Sequence, residues 1–293
     1  MEKLVPITTK VGDFFDLLYE GMTKKIEIDG IEYNYTDKYK EIKPLITAAE
    51  TNYVTAALKK RLWEIEPSSN IGDLTTKDMV YLYETKLLDK TKGRNIYTEI
   101  QSLPANSRCP FCGVRVVTTL DHYLPKSKYP IYAVTPYNLI PSCSDCNGLK
   151  KGGIITSELD LLLNPYFDDV QSEQWLFCDI EIMYGFLTPK YYTKENPVFT
   201  DTQNMRIKNH FKVLQLNTFF GIHGAGEIDN NSEEWEELFV TENYEALKEE
   251  FKKQEKKYYS KEKSINSWER ALYQGLYKLI DNYSNSHKES LLI

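Results

Sequence analysis

Cys109-Pro110-Phe111-Cys112 and Cys143-Ser144-Asp145-Cys146 form two CxxC pairs, and Asp121-His122, Asn138 and Asn147 stand between and beside them. Each CxxC turn aims two sulfurs at one point. Two such pairs close a tetrahedral four-cysteine site, and thiolates suit Zn2+. Four thiolates leave no open position for a substrate, so this zinc reads as structural. The neighbouring residues carry a different chemistry. Carboxylate and amide oxygens are hard ligands for Mg2+ or Mn2+. A histidine that is neutral near pH 7 can take a proton from water. Phosphodiester hydrolysis needs an activated water, a charge clamp on the phosphate and help for the leaving oxygen. On this reading His122 is the general base, and Asp121 and Asn147 hold a catalytic Mg-type ion. Lys126, Lys128 and Lys150 are candidates to neutralise phosphates without reading bases.

These residues need elements to position them. The 30 residues between the knuckles exceed what a plain zinc ribbon uses. Val114–Leu124 is rich in β-branched residues and reads as a strand ending at Asp121-His122. Tyr137–Ile140 reads as the returning strand, and Ser142 or Ser144 as the cap of a short helix carrying Cys146, Asn147 and Lys150. Adjacent strand residues face opposite ways. Asp121 and His122 therefore serve one site only if the strand kinks or ends there, and Leu124-Pro125 favours an end.

The ordered set of CxxC, DH, N and CxxCN resembles the HNH endonuclease family, the ββα-metal nucleases, in its zinc-bearing four-cysteine group. The likeness covers about a fifth of the chain. It implies that Asn138 orients the catalytic loop, that Asn147 stands where other members place a histidine, and that DNA is cut to 5′-phosphate and 3′-hydroxyl ends. It also resembles the nucleases of bacterial anti-phage and restriction systems, such as the Septu type, some of which act with an ATPase subunit. This chain has no GxxxxGK[ST] loop of its own, so ATP control would come from a partner. Two other readings carry different expectations. A zinc-stabilised module that binds nucleic acid or protein would not hydrolyse anything, and an HNH nuclease acting mainly on RNA would cut RNA in preference.

Composition bounds the remainder. A chain of 293 residues with 41% apolar and 27% charged residues can bury a core of its own. No run approaches the length of a membrane span. The N-terminus lacks a signal-peptide pattern, so the expected location is cytoplasmic, with no membrane partner. Four of the five cysteines lie in CxxC pairs, which favours metal over disulfides. The net charge of −7 argues against a general nucleic-acid surface. The footprint must be local: residues 105–153 carry six basic residues against two acids, whereas 227–250 carry ten acids and one lysine.

The expected fold class is α+β, with a zinc-clamped ββα module embedded in a mainly helical chain. Its divisions are 1–104 (mixed, mainly helical), 105–165 (the nuclease module) and 166–293 (mainly helical). Asp29-Gly30 reads as a hairpin turn. Residues 38–64 read as a helix with the stripe Ile46, Tyr53, Leu58 and Leu62. Thr76 reads as the cap of a helix running to about Leu88. LLLNPYFDD reads as a helix or strand stopped at Asn164-Pro165, residues 174–200 as strands, and the chain from about 233 as helix. Cys178 reads as a buried apolar residue, His223 as part of a glycine-rich loop, and the basic run 252–263 as a solvated helix face.

Overall fold

The computed structural model describes residues 2–88, 93–150, 152–259 and 264–290, and it divides the chain into two compact units, Glu2–Asp168 and Asp169–Ile293. In the first unit, α1 (Val11–Tyr19) is followed by a hairpin of β1 (Lys25–Ile28) and β2 (Ile31–Asn34). Asp29 (φ 51°) and Gly30 (φ 80°) both take the left-handed conformation that closes this two-residue turn. The long helix α2 (Tyr35–Leu58) packs against α1. A short ladder, β3 (Asn70–Ile71) with β4 (Leu74–Thr75), leads into α3 (Thr76–Tyr81), which runs on as one π-helical segment over Leu82–Leu87. Next come α4 (Gly93–Gln101), β5 (Thr119–His122), β6 (Leu139–Ser142) and α5 (Ser144–Leu149).

Several expectations shift here. Leu58 is 69% exposed. It lies five residues beyond Tyr53, a rotation of about 140° away from the stripe, and Ala57 takes the inward place. The cap before α3 is Thr75 rather than Thr76, because Asp78 at N3 reaches back to the Thr75 N–H at 2.8 Å. The inward set Met79, Leu82 and Leu87 is fully buried, each burial being worth roughly 1.5–3 kcal/mol. The 114–124 strand is paired as a strand only over Thr119–His122, with an isolated bridge between Arg108 and Val116. The returning strand begins at Leu139, not Tyr137. Pro136 fixes a 3-10 turn over Pro136–Asn138 and so puts Asn138 in the turn. Residues 161–168 form neither helix nor strand, although Leu161, Leu162 and Leu163 are buried.

The β5–β6 ladder pairs Thr119 with Ser142 and His122 with Leu139. Its Leu120 and Leu139 join one core with Phe15, Ile46, Leu82 and Ile100 from the helices, and α4 packs on both strands. The hairpin is therefore held by the helical body around it.

The second unit opens with a long antiparallel hairpin, β7 (Leu176–Met183) and β8 (Phe186–Thr193), turning at Tyr184 (φ 53°) and Gly185 (φ 83°). Among the described residues five helices follow: α6 (Asp201–Val213), α7 (Leu216–Asn230), α8 (Ser232–Val240), α9 (Tyr244–Lys257) and α10 (Trp268–Ser290). Helix begins at Asp201, well before residue 233. His223 lies inside α7 rather than in a glycine loop. The glycine beside it is needed for packing, since a Cβ at Gly224 would come within 2.9 Å of the Tyr191 hydroxyl. Cys178 is buried on β7. Lys252, Lys253, Lys256 and Lys257 are exposed on α9, and residues 260–263 of that basic run lie outside the described residues.

Candidate functional site

The cysteines come together at the open end of the β5–β6 hairpin. In the first knuckle the Cys109 N–H donates to the Arg115 carbonyl (2.8 Å) and the Gly113 N–H to the Cys109 carbonyl (2.7 Å). Gly113 sits at φ 73°, a conformation that glycine adopts without cost. In the second, Cys143 is itself the N-cap of α5, and its sulfur accepts from the Cys146 N–H at 3.4 Å. Neither Ser142 nor Ser144 takes that place. Arg115 pairs with Asp145 across the two knuckles at 2.8 Å. All four cysteines are buried, and their sulfurs lie within 4.8 Å of one another. A tetrahedron with zinc about 2.3 Å from each sulfur has edges of about 3.8 Å. The donor set fits Zn2+ after a small contraction, with every position filled by protein.

A cleft of about 410 Å³ lies between this hairpin, α5 and the π-helical segment. Asp121, His122, Lys126, Asn147 and Lys150 line it. His122 is the last residue of β5, so the strand ends where the two adjacent side chains must share one space. Its Nε2 lies 2.8 Å from the Ala133 carbonyl. A carbonyl only accepts, so Nε2 carries the proton and Nδ1 keeps its lone pair. The Tyr83 ring stands edge-on to the imidazole, centroids 4.3 Å apart. Burial pushes the imidazole pKa down to about 3, against the raising effect of the Ala133 bond, so the ring is neutral near pH 7.

Asp121 meets Lys150 at 2.6 Å, with side chains 7% and 11% exposed. Burial raises the Asp121 carboxyl above its ordinary value while Lys150 pulls it back. Burial likewise lowers the Lys150 ammonium, opposed by Asp121. The ammonium also donates to the His122 carbonyl. Lys150 and Asn147 are one helical turn apart at the end of α5, so the second knuckle sets both.

Asn138 is fully buried behind the cleft. Its Oδ1 accepts from the Leu124 N–H (2.7 Å), and its Nδ2 donates to the carbonyls of Leu124 (3.0 Å) and Tyr132 (3.2 Å). The side chain thus ties the turn before β6 to the loop after His122.

The cleft gathers the residues at the two ends of the sequence motif and leaves one lysine outside. Lys126 reaches it while pairing with Glu84 at 3.2 Å and lying over the Tyr83 ring at 4.8 Å. Lys128 is exposed and is not among the lining residues. Tyr83, Glu84 and Thr119 also line the cleft, and the motif does not point to them. Tyr83 and Glu84 lie more than 30 residues before the Asp121-His122 pair, on a helix whose apolar period makes Tyr83 look like core. The Lys150–Asp121 pair was equally hidden, because nothing in the spacing distinguishes a lysine facing solvent from one turned inward.

No protein-family model matches the chain, and no solved structure matches it at a significant level. Two curated proteins are similar to part of it. Protein ea31 of Escherichia phage lambda is 32% identical over 162 residues, 53% of this chain and 54% of that protein. Septu protein PtuB of Bacillus thuringiensis is 36% identical over 69 residues, 22% of this chain and 26% of that protein. The chain thus spans about half the length of one relative and about a quarter of the other.

Proposed function

We propose that the chain is a metal-dependent endonuclease of the HNH type that hydrolyses DNA phosphodiesters. The observation that carries this reading is the contact of His122 Nε2 with the Ala133 carbonyl at 2.8 Å. With Nε2–H spent on the Ala133 carbonyl, the lone pair on Nδ1 is available as a base in a cleft that also holds Asp121 and Asn147. His122 Nδ1 removes a proton from water, whose oxygen attacks phosphorus. The P–O3′ bond breaks, and the departing oxygen is protonated by solvent to leave a 3′-hydroxyl and a 5′-phosphate. Asp121 and Asn147 are the residues that would hold a Mg2+ or Mn2+ ion, which when bound supplies charge stabilisation to the phosphate and the leaving oxygen. Asn138 holds the loop that follows His122. Lys126 and Lys128 neutralise neighbouring phosphates, and Zn2+ on the four cysteines keeps α5 in register with the hairpin.

Similarity to the Septu protein PtuB favours a setting in anti-phage defence with a partner subunit, and the resemblance of the cysteine and DH motif to defence and restriction nucleases makes an ATPase the partner to test. The test is cleavage of supercoiled plasmid by zinc-loaded wild type and His122→Ala, with Mg2+, Mn2+ or EDTA, beside an RNA digest. Metal-dependent nicking by wild type, falling by about 10²- to 10⁴-fold in the variant at equal zinc content, is the expected result. Equal cutting by the variant would remove His122 from the reaction.

The Lys150–Asp121 pair favours a second reading, a zinc-stabilised binding module without hydrolysis, because the ammonium already occupies one carboxylate oxygen. It predicts nucleic-acid or protein binding that is indifferent to Mg2+ and no cutting of either DNA or RNA.

A further inference from the structure

The second unit carries a feature that the proposed chemistry does not use. A groove of about 1200 Å³ runs between the β7–β8 hairpin and helices α7, α8, α9 and α10. Its floor includes the buried Trp235, Leu247, Phe251 and Leu276. Its mouth presents large apolar side chains to solvent: Ile222 is 67% exposed, Val240 78% and Phe186 75%. A monomeric protein seldom leaves such residues contiguous unless something covers them. The volume is above the roughly 300–1,000 Å³ of small-molecule pockets.

Charge narrows what covers it. Between Leu216 and Leu247 the chain carries eight carboxylates and no lysine or arginine. Asp229 and Glu236 line the groove itself, and Glu233, Glu234 and Glu237 lie beside them on α8. Two local interactions temper this field: Glu245 pairs with Lys248 at 2.9 Å, and Glu227 accepts a hydrogen bond from the Tyr273 hydroxyl. Among the described residues Lys190 is the single basic residue of the lining. An acidic rim around an apolar trough repels nucleic acid and anionic lipid. It complements a helix with one apolar face and lysines or arginines along its flanks, seated by its i, i+3, i+4 and i+7 side chains.

We propose that this groove docks a basic amphipathic helix of a partner protein. The inference does not depend on the nuclease reading, and its test reads binding alone. The zinc-loaded full chain is titrated against a fluorescein-labelled Leu/Lys amphipathic peptide of about 14 residues, followed by anisotropy. A Leu/Glu peptide of the same pattern is the counter-probe. The variants are Ile222→Asp with Val240→Asp, and Ile222→Gln with Val240→Gln. All four changes fall on exposed side chains, and far-UV circular dichroism checks the fold. Wild type should bind the Leu/Lys peptide and not the Leu/Glu peptide. Both variants should bind at least about tenfold more weakly, a loss of about 1.4 kcal/mol. The aspartate pair separates groove from charge, because it adds two carboxylates. If charge alone attracts the peptide, that variant binds as well or better, and the proposal fails. It also fails if the Leu/Glu peptide binds equally, if vesicles containing phosphatidylglycerol take up wild type but not the variants, or if sedimentation shows a wild-type dimer that the variants reduce to monomer.

Discussion

Lys150 and Asp121 set the central question at the residue scale. Two opposite charges lie 2.6 Å apart with little solvent around either. Breaking a buried pair by removing one partner costs on the order of 3–5 kcal/mol, because the remaining charge has no compensation. Lys150→Met should therefore lower the melting temperature of the zinc-loaded protein. If a divalent cation is held by Asp121, in the variant it has that carboxylate to itself, and a ligand that binds only the folded state raises its stability. Mg2+ should then raise the melting temperature of Lys150→Met by more than that of wild type. Equal shifts in the two proteins would mean that the cation does not meet Asp121. The sequence marked lysine, aspartate and histidine as candidates for the chemistry. It could not reveal that the lysine turns inward, since that depends on where the end of α5 falls against β5.

At the scale of elements, the two cysteine turns and the packed hairpins make separate predictions. The four clustered cysteines sit in two turns that Zn2+ would hold, whereas Cys178 is buried on β7 and its thiol is pushed up to about 12 by burial. A raised thiol pKa keeps the group protonated at pH 8, and the thiol is a poor nucleophile. A chromogenic disulfide reagent should find no fast-reacting thiol in the zinc-loaded protein. After chelation it should titrate four, and Cys178 should react only in denaturant. Fast reaction of Cys178 in the native state would contradict its burial. In the second unit α10 crosses β7 so closely that a Cβ at Gly275 would lie 2.5 Å from the Cys178 carbonyl oxygen. Backbone cannot yield as a flexible side chain can. Gly275→Ala should cost about 1–3 kcal/mol in urea unfolding, although alanine is the better helix former. A neutral or stabilising result would mean that helix and strand sit further apart. Gly224 reads in the sequence as part of a glycine-rich loop, and Gly275 lies inside a stretch read as helix. Only the packing partner, distant in sequence, shows that each permits an approach.

For the whole molecule the decisive quantity is where its charge lies. A net charge of −7 is unfavourable for binding a polyanion. The basic residues near the cleft are few, and part of that charge is spent internally: Lys150 on Asp121, Lys126 on Glu84 and Arg115 on Asp145. The slope of log affinity against log salt for duplex DNA should therefore be shallow. The double change Lys126→Ala with Lys128→Ala should reduce it by about 2, close to one for each phosphate that is no longer neutralised. An unchanged slope would place the DNA elsewhere on the protein. No described helix is long and apolar enough to cross a membrane.

The sequence by itself determined the four zinc-competent cysteines, which residues are candidates for the chemistry, the hairpin turn at Asp29-Gly30 and the strand character of 174–200. These are local properties, set by residue type and by spacings of a few positions. Tertiary structure decided that His122 spends Nε2 on Ala133, that Asn138 ties together two loops, that Tyr83 walls the imidazole and that Lys150 faces Asp121. It also decided that a glycine-rich stretch is helix and that an acidic segment borders an apolar groove. Each of these depends on residues far apart in the chain meeting in space. Such meetings follow from how whole faces bury against one another, and no short window of sequence contains both partners.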